Sequence, residues 1–205
     1  MRNDRTYMAG YVSRPEIYPR IVEVRLDKPE AKNVIGKEML HGISNVFELI
    51  NQNSDANVAM ICSSIPGVFC AGADLKERRT MNQSEVKFFV NSFRSTLSFL
   101  EEIRVPTIDV IEGVALGGGL EMALACDLRI CGLVNYCVAA GEAHSKALEI
   151  ARDINQKVSL SKILHAATDV VHTGLVNYCV AAGEAHSKAL EIARDINQKG
   201  IHCYC

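Results

Sequence analysis

An α/β layer fold with mostly parallel strands is the architecture this chain predicts. Apolar runs of strand length alternate with stretches whose apolar residues recur at helical spacing, and glycine-rich turns sit where a strand gives way to a helix. A further observation bears on the second half: the 26 residues from 132 to 157 return unchanged at 174 to 199.

The elements follow in order. IVEVRL at 21–26 reads as a strand, and KEMLHGISNVFELINQ places Leu40, Ile43, Phe47 and Ile50 on one helical face. NVAMICSS reads as a short buried strand and IPGVFCAGAD as the loop after it. A long helix then runs through Val86, Phe89, Val90, Phe93, Leu97 and Leu100 and stops at Val105-Pro106, because the residue before a proline disfavours helical backbone. PTIDVIEGVALGGG reads as one apolar strand running into glycines, LEMALACDL as a helix and LRIC as another strand. Asp109 interrupts its strand, and a buried unpaired carboxylate is costly, so the expectation is a side chain at an edge or reaching water, or else a damaged position.

With 205 residues and 48% hydrophobic content the chain supports one sizeable core. A net charge of -2 without a Lys/Arg-rich run gives no footprint for nucleic acid or an anionic membrane, which leaves a small molecule or a protein as the expected partner. No apolar run reaches the roughly 20 residues of a membrane helix. The N-terminal stretch carries Asp4 and Glu16 and little serine, so no transit peptide is recognised in it. Eight cysteines without a CxxC pair, among them Cys62, Cys70, Cys126 and Cys131 in apolar runs, read as reduced buried thiols. His165 and His172 lack a carboxylate or thiol to complete a site, so no metal centre is expected.

Two loops carry the candidate chemistry. In FCAGADLKE the small residues Ala71, Gly72 and Ala73 end a strand and open a helix, and Gly117, Gly118 and Gly119 do the same in ALGGGLE. Such turns let backbone N–H groups face a ligand without side-chain obstruction. Two converging donors suit a developing oxyanion, and Glu121, in the first turn after the glycines, suits proton transfer beside it. Either loop alone is an ordinary turn; the pair is specific.

GVFCAGADLKE followed by PTIDVIEGVALGGGLEMALACDLRI resembles the enoyl-CoA hydratase (crotonase) family, most strongly its mitochondrial members, and IVEVRLDKPEAKNVIGKEML fits that family's first strand and helix. The resemblance covers about residues 20–131 and implies a crotonase (ClpP-like) fold of repeated β-β-α units, incomplete in its C-terminal half. It implies oxyanion N–H groups at Ala73 and Gly118, a coenzyme A-lining loop of Ala71, Ala73, Asp74, Leu75 and Lys76 together with Gly118, and Glu121 as one of two catalytic glutamates. The implied chemistry is addition of water across the C2=C3 bond of a 2-enoyl-CoA thioester in fatty-acid or branched-chain acyl-CoA catabolism. Coenzyme A belongs to the substrate, so no separate cofactor is implied. A mitochondrial location and homotrimeric or hexameric assembly come with the resemblance, with a cytoplasmic location as the alternative where no transit peptide is recognised. Relatives that bind RNA use a lysine-rich first helix, whereas here only Lys37 lies near its start.

After Cys131 the chain departs from the family pattern. The segment that carries the second glutamate is absent, which implies impaired hydration; the alternative is a non-catalytic acyl-CoA-binding remnant or an unstable fragment. Residues 132–205 read as a rearranged helical region holding both copies of the repeat. Glu142 lies near the expected spacing from Glu121, but its surroundings match the family's later helix. Stacked structural repeats diverge and come in larger numbers, so two identical copies read as a duplication or a faulty gene model. The stripe Ala185, Ala189, Leu190, Ala193 and Ile196 is amphipathic, as is its counterpart from Ala143 to Ile154, and the core is expected to offer one berth for such a helix.

Overall fold

The computed structural model describes residues 7–9, 11–14, 16–18, 20–52, 56–132 and 177–199. Three short strands, β1 (Tyr7–Ala9), β2 (Val12–Arg14) and β3 (Glu16–Tyr18), lead into β4 (Ile21–Leu26). β2 and β3 both pair antiparallel with β4, at Leu26 and Arg25 and at Val22 and Ile21 respectively. Helix α1 (Lys37–Gln52) then carries the chain to β5 (Val58–Ser63), which pairs parallel with β4 along its whole length. The apolar spacing read from the sequence is the reason: Met39, Leu40, Ile43, Val46, Phe47 and Ile50 are all buried against the sheet. Each such side chain contributes roughly 1.5–3 kcal/mol relative to exposure.

The expected loop after β5 contains a strand, β6 (Gly67–Cys70), followed by the single-turn α2 (Leu75–Arg78) and the long α3 (Gln83–Glu101). Asn82 caps α3 reciprocally: the Glu85 N–H donates to Asn82 Oδ1 at 3.0 Å, and the Asn82 N–H donates to Glu85 Oε2 at 2.8 Å. The run expected as one strand at 106–119 breaks into β7 (Thr107–Ile111), in the large sheet, and β8 (Gly113–Ala115), which leaves it to pair parallel with β6. Helix α4 (Gly118–Leu124) and β9 (Leu128–Gly132) follow. The second copy of the repeat supplies β10 (Tyr178–Val180) and α5 (Ala185–Lys199). Among the described residues the main sheet has the order β1-β2-β4-β5-β7-β9-β10, parallel from β4 onward.

Side-chain alternation gives this sheet two cores. One face carries Val22, Val24, Ile61 and Ile111 and packs under α1 and α3. The other carries Ile21, Met60, Ile108, Val110 and Ile130 and packs under α5, whose Ala185, Ala189 and Ala193 are fully buried with Leu190 and Ile196 beside them. The second copy thus fills the helix berth expected from the sequence. The first copy beyond Gly132, together with Glu142, His165 and His172, lies outside the described residues. The region expected to be helical also lends a strand to the sheet. Cys62, Cys70, Cys126 and Cys131 are buried cysteines outside any disulfide, whereas Cys179 is exposed.

Two carboxylates in the sheet have opposite fates. Glu23 is fully buried and satisfied: Arg25 donates to one oxygen, and His186 Nε2 lies 2.9 Å from the other. Burial alone would raise this carboxyl, but those bonds outweigh it and hold it at about 2. Asp109 lies in β7, between β5 and β9, so the expectation of an edge or a water-reaching side chain is wrong. Among the described residues neither of its oxygens has a hydrogen-bond partner. Burial pushes its carboxyl well above the usual range, with only partial relief from the charge of Arg129 and the nearby Val110 amide. A raised carboxyl costs nothing below the unfolded value near 3.9, where both states hold the proton, and costs progressively more as pH rises toward the folded value. Asp109→Ala is therefore expected to stabilise the protein at pH 7 by roughly 1–3 kcal/mol, read from urea unfolding, with the gain shrinking toward zero near pH 4.

Candidate active site

The two turns singled out in the sequence meet because β6 and β8 run side by side. Gly67 faces Gly113 and Cys70 faces Ala115, and the Leu116 N–H donates to the Cys70 carbonyl at 2.9 Å. The approach is too close for side chains at three places. A Cβ on Gly113 would stand 2.0 Å from the Gly67 carbonyl carbon, one on Gly119 would stand 2.6 Å from Cys70 O, and one on Gly72 would stand 2.7 Å from Leu116 O. Gly72 also has φ +89°, a backbone that other residues rarely adopt. Its Cβ position is 3.6 Å from the Gly118 nitrogen, so the two turns are in van der Waals contact.

Backbone geometry then decides where the amides point. The Ile35 N–H donates to Gly72 O at 2.7 Å, and the Asp74 N–H donates to Ile35 O at 3.0 Å, which brackets Ala73 in a parallel bridge. Successive N–H groups of an extended chain face opposite sides, so the Ala73 N–H points away from Ile35. Gly118 is the first residue of α4, where an N–H has no acceptor inside its own helix. Among the described residues neither amide has an acceptor. The Phe93 ring and Ile35 lie beneath Gly118, 3.2 and 3.3 Å from where its Cβ would be.

The other residues singled out surround this point unevenly. Ala71 donates its N–H to Lys32 O at 3.0 Å and is half-buried. The Asp74 carboxylate caps α2, accepting from the Lys76 and Glu77 N–H groups at 3.1 Å, and pairs with Lys28. Those bonds, the Glu77 amide first, lower its pKa. Leu75 and Lys76 are exposed on the outer side of α2. Glu121 is also exposed: α4 buries Gly119, Leu120, Met122 and Ala123, which turns Glu121 and Leu124 outward. Among the described residues its carboxylate has no hydrogen-bond or ion-pair partner. Cys70 is the nearest thiol, but burial pushes it up to about 12, so it stays protonated and packs rather than reacts.

Asn33 escaped the sequence reading. Its fully buried amide donates to Ser63 Oγ and to Phe69 O, each at 2.9 Å, and its Oδ1 accepts from the Lys28 N–H at 2.8 Å. Asn33 thereby ties the turn before Ile35 to β6, and Ile35 positions Ala73. The available signal was an asparagine after Lys32, in a turn where both residues take positive φ (55° and 53°), a conformation asparagine tolerates.

A family model for enoyl-CoA hydratase/isomerase matches residues 16–133. The chain belongs to that family. This enoyl-CoA hydratase/isomerase family member is 50% identical over 193 residues to the probable enoyl-CoA hydratase 2, mitochondrial, of Arabidopsis thaliana, covering 69% of this chain and 64% of that protein. It is 44% identical over 110 residues to the methylglutaconyl-CoA hydratase, mitochondrial, of Mus musculus, covering 54% of this chain and 35% of that protein. The chain thus spans less than two thirds of either relative. The crystal structure of an enoyl-CoA hydratase from Bacillus anthracis superposes with a TM-score of 0.74 at 28% identity, covering 91% of this chain and 76% of that one. The crotonase fold expected from the motifs is the fold observed.

Because four hydrogen bonds of a buried amide, the weakest to Leu26 O at 3.5 Å, and a left-handed backbone coincide at one residue, Asn33→Ala is expected to cost roughly 2–4 kcal/mol in urea unfolding, well above the effect of an exposed substitution such as Lys76→Ala.

Proposed function

We infer that this protein binds the thioester of a 2-enoyl-CoA and adds water across its C2=C3 bond. The observation that carries the reading is the pair of acceptor-free amides, Ala73 N–H and Gly118 N–H, at one point where two strand-to-helix turns touch. A thioester carbonyl seated there gains charge as water attacks C3, and two fixed donors favour that charge in the transition state more than in the ground state. Glu121 is the acid–base residue of this reading: it takes the proton of the incoming water and returns one to C2. Ala71, Asp74, Leu75 and Lys76 line the coenzyme A moiety, Asp74 through backbone alone because its carboxylate is engaged in capping. Coenzyme A arrives with the substrate, and the reaction as drawn uses no further cofactor. A mitochondrial setting belongs to the same reading, supported by the names of the two relatives. No described helix is long and apolar enough to cross a membrane.

A second reading is favoured by the exposure of Glu121 and its lack of partners. Among the described residues nothing orients that carboxylate, and the sequence pattern that brings a second glutamate is not recognised after Cys131, so in this reading the site holds acyl-CoA without turning it over efficiently. A positioned acid–base group is typically worth about 10²- to 10⁴-fold in rate, and its loss sets how far activity falls below that of a two-glutamate enzyme.

Hydration of crotonyl-CoA, followed as loss of the conjugated enoyl absorbance, separates the two. Turnover above background that drops by about 100-fold or more in Glu121→Gln is the expected result; turnover unaffected by that substitution would contradict the assignment of Glu121, and tight binding without turnover would favour the second reading.

A further inference from the structure

The sheet face opposite α1 and α3 holds a second cluster of reactive side chains, which the hydratase reading does not use. Glu23 and Arg25 alternate along β4, Cys62 stands on the neighbouring β5, and His186 reaches in from the first turn of α5. One ligand atom from each of Glu23, Cys62 and His186 falls within a set whose members are all within 4.8 Å of one another. Three ligands at 2.0–2.3 Å from a tetrahedral ion stand about 3.3–3.8 Å apart, so a small side-chain adjustment closes the set. Glu23 and Cys62 are buried, and an open cavity of about 330 Å³, lined by Ser63, Ser64, Arg25 and Glu112 among others, adjoins the cluster.

We propose that Glu23, Cys62 and His186 form a three-ligand site for a zinc-class divalent ion, with the fourth position open to this cavity. One sulfur, one imidazole nitrogen and one carboxylate oxygen form a donor set that suits zinc and is foreign to magnesium or calcium, which take oxygen throughout. The surroundings are built for it. Arg25 occupies one oxygen of Glu23 and leaves the other for His186. Glu112 accepts from the His186 and Gly183 N–H groups at 3.0 and 2.9 Å, which fixes the backbone that presents the imidazole. On binding, the ion takes the place of the hydrogen between His186 Nε2 and Glu23 Oε2, that hydrogen passes to His186 Nδ1 or to solvent, and the Cys62 thiol releases its proton to solvent. The thiolate and the carboxylate offset the dication, and the charge of Arg25, still hydrogen-bonded to Glu23, leaves the cluster with one net positive charge beside Glu112 and the open cavity. The bound ion fastens α5, carried by the second copy of the repeat, to the central strands β4 and β5. The ligands lie up to 163 residues apart in the chain, so no local spacing announces the site and the sequence reading expected none.

The test uses the full chain, loaded with zinc and desalted, with metal content read by mass spectrometry and cobalt(II) titrated in parallel for its thiolate charge-transfer band. One ion per chain and a cobalt band are expected. Both are lost, or weakened at least about 10- to 100-fold, in Cys62→Ser and in His186→Gln, and both persist in Cys179→Ser, which removes the one exposed thiol among the described residues. Zinc raises the thermal midpoint of the parent chain and not of His186→Gln, a half-exposed side chain whose replacement leaves the core intact if Cys62→Ser does not fold. Absence of bound ion in the parent chain would overturn the proposal. So would binding indifferent to both ligand substitutions, or binding that follows Cys179 instead.

Discussion

The contact on which this molecule depends is the bare backbone approach between β6 and β8 and the two turns that leave them. Gly113 against Gly67, Gly119 against Cys70 and Gly72 against Leu116 each leave no room for a Cβ. A methyl group on Gly113, Gly119 or Gly72 would drive the backbones apart by about 1 Å, because the opposing atoms are mostly backbone and cannot rotate away. While the contact holds, Ala73 and Gly118 are neighbours in space although 45 residues separate them in sequence, since 118 − 73 = 45. Their amides are left without acceptors for reasons of secondary structure alone, one beside a parallel bridge and the other at a helix start. The candidate chemistry is therefore a property of main-chain geometry held by glycines, with few side chains involved.

The large sheet supports this arrangement from below and separates it from everything else. The central parallel strands β4, β5 and β7 are buried on both faces, as parallel sheets are, whereas β10 leaves Tyr178 and Cys179 exposed. One core anchors α1 and α3 and, through Phe93, the floor under Gly118. The other holds α5 through a stripe of alanines, which lets the helix lie close to the sheet. Polar residues on the two faces follow the same accounting. Glu23 is tolerated because its two oxygens are taken by Arg25 and His186, whereas Asp109 is buried with neither oxygen matched. The difference lies in partners and not in depth.

What the sequence revealed was whatever depends on local periodicity. The helix written in KEMLHGISNVFELINQ is α1 to the residue, and the strands at 21–26 and 58–63 are legible because their apolar runs are bounded by turns. β6 was hidden: only Val68, Phe69 and Cys70 follow Pro66 and Gly67, and their strand character comes from a partner found far along the chain. The split between β7 and β8 was hidden for the same reason, since Glu112 and Gly113 mark a change of sheet that no periodicity records. Motif resemblance brought Ala73, Gly118 and Glu121 to notice, yet the outward turn of Glu121 follows from which residues of α4 the core claims. Asn33 donates to two partners distant in sequence, Ser63 and Phe69, and looked like an ordinary turn residue. The repeat was plain as text, but its structural meaning, a second copy whose alanines fill the berth beside β9, required the fold.

The central claim is that the Ala73 and Gly118 amides hold a thioester carbonyl. Its most direct test compares, by calorimetry, the binding of butyryl-CoA with that of the matching thioether, which lacks only the carbonyl oxygen. Two hydrogen bonds of ordinary net strength correspond to roughly 1–3 kcal/mol, so the thioester should bind about 5- to 100-fold more tightly. Equal affinity for the two ligands would show that coenzyme A is gripped elsewhere and that these amides do not serve as the carbonyl site.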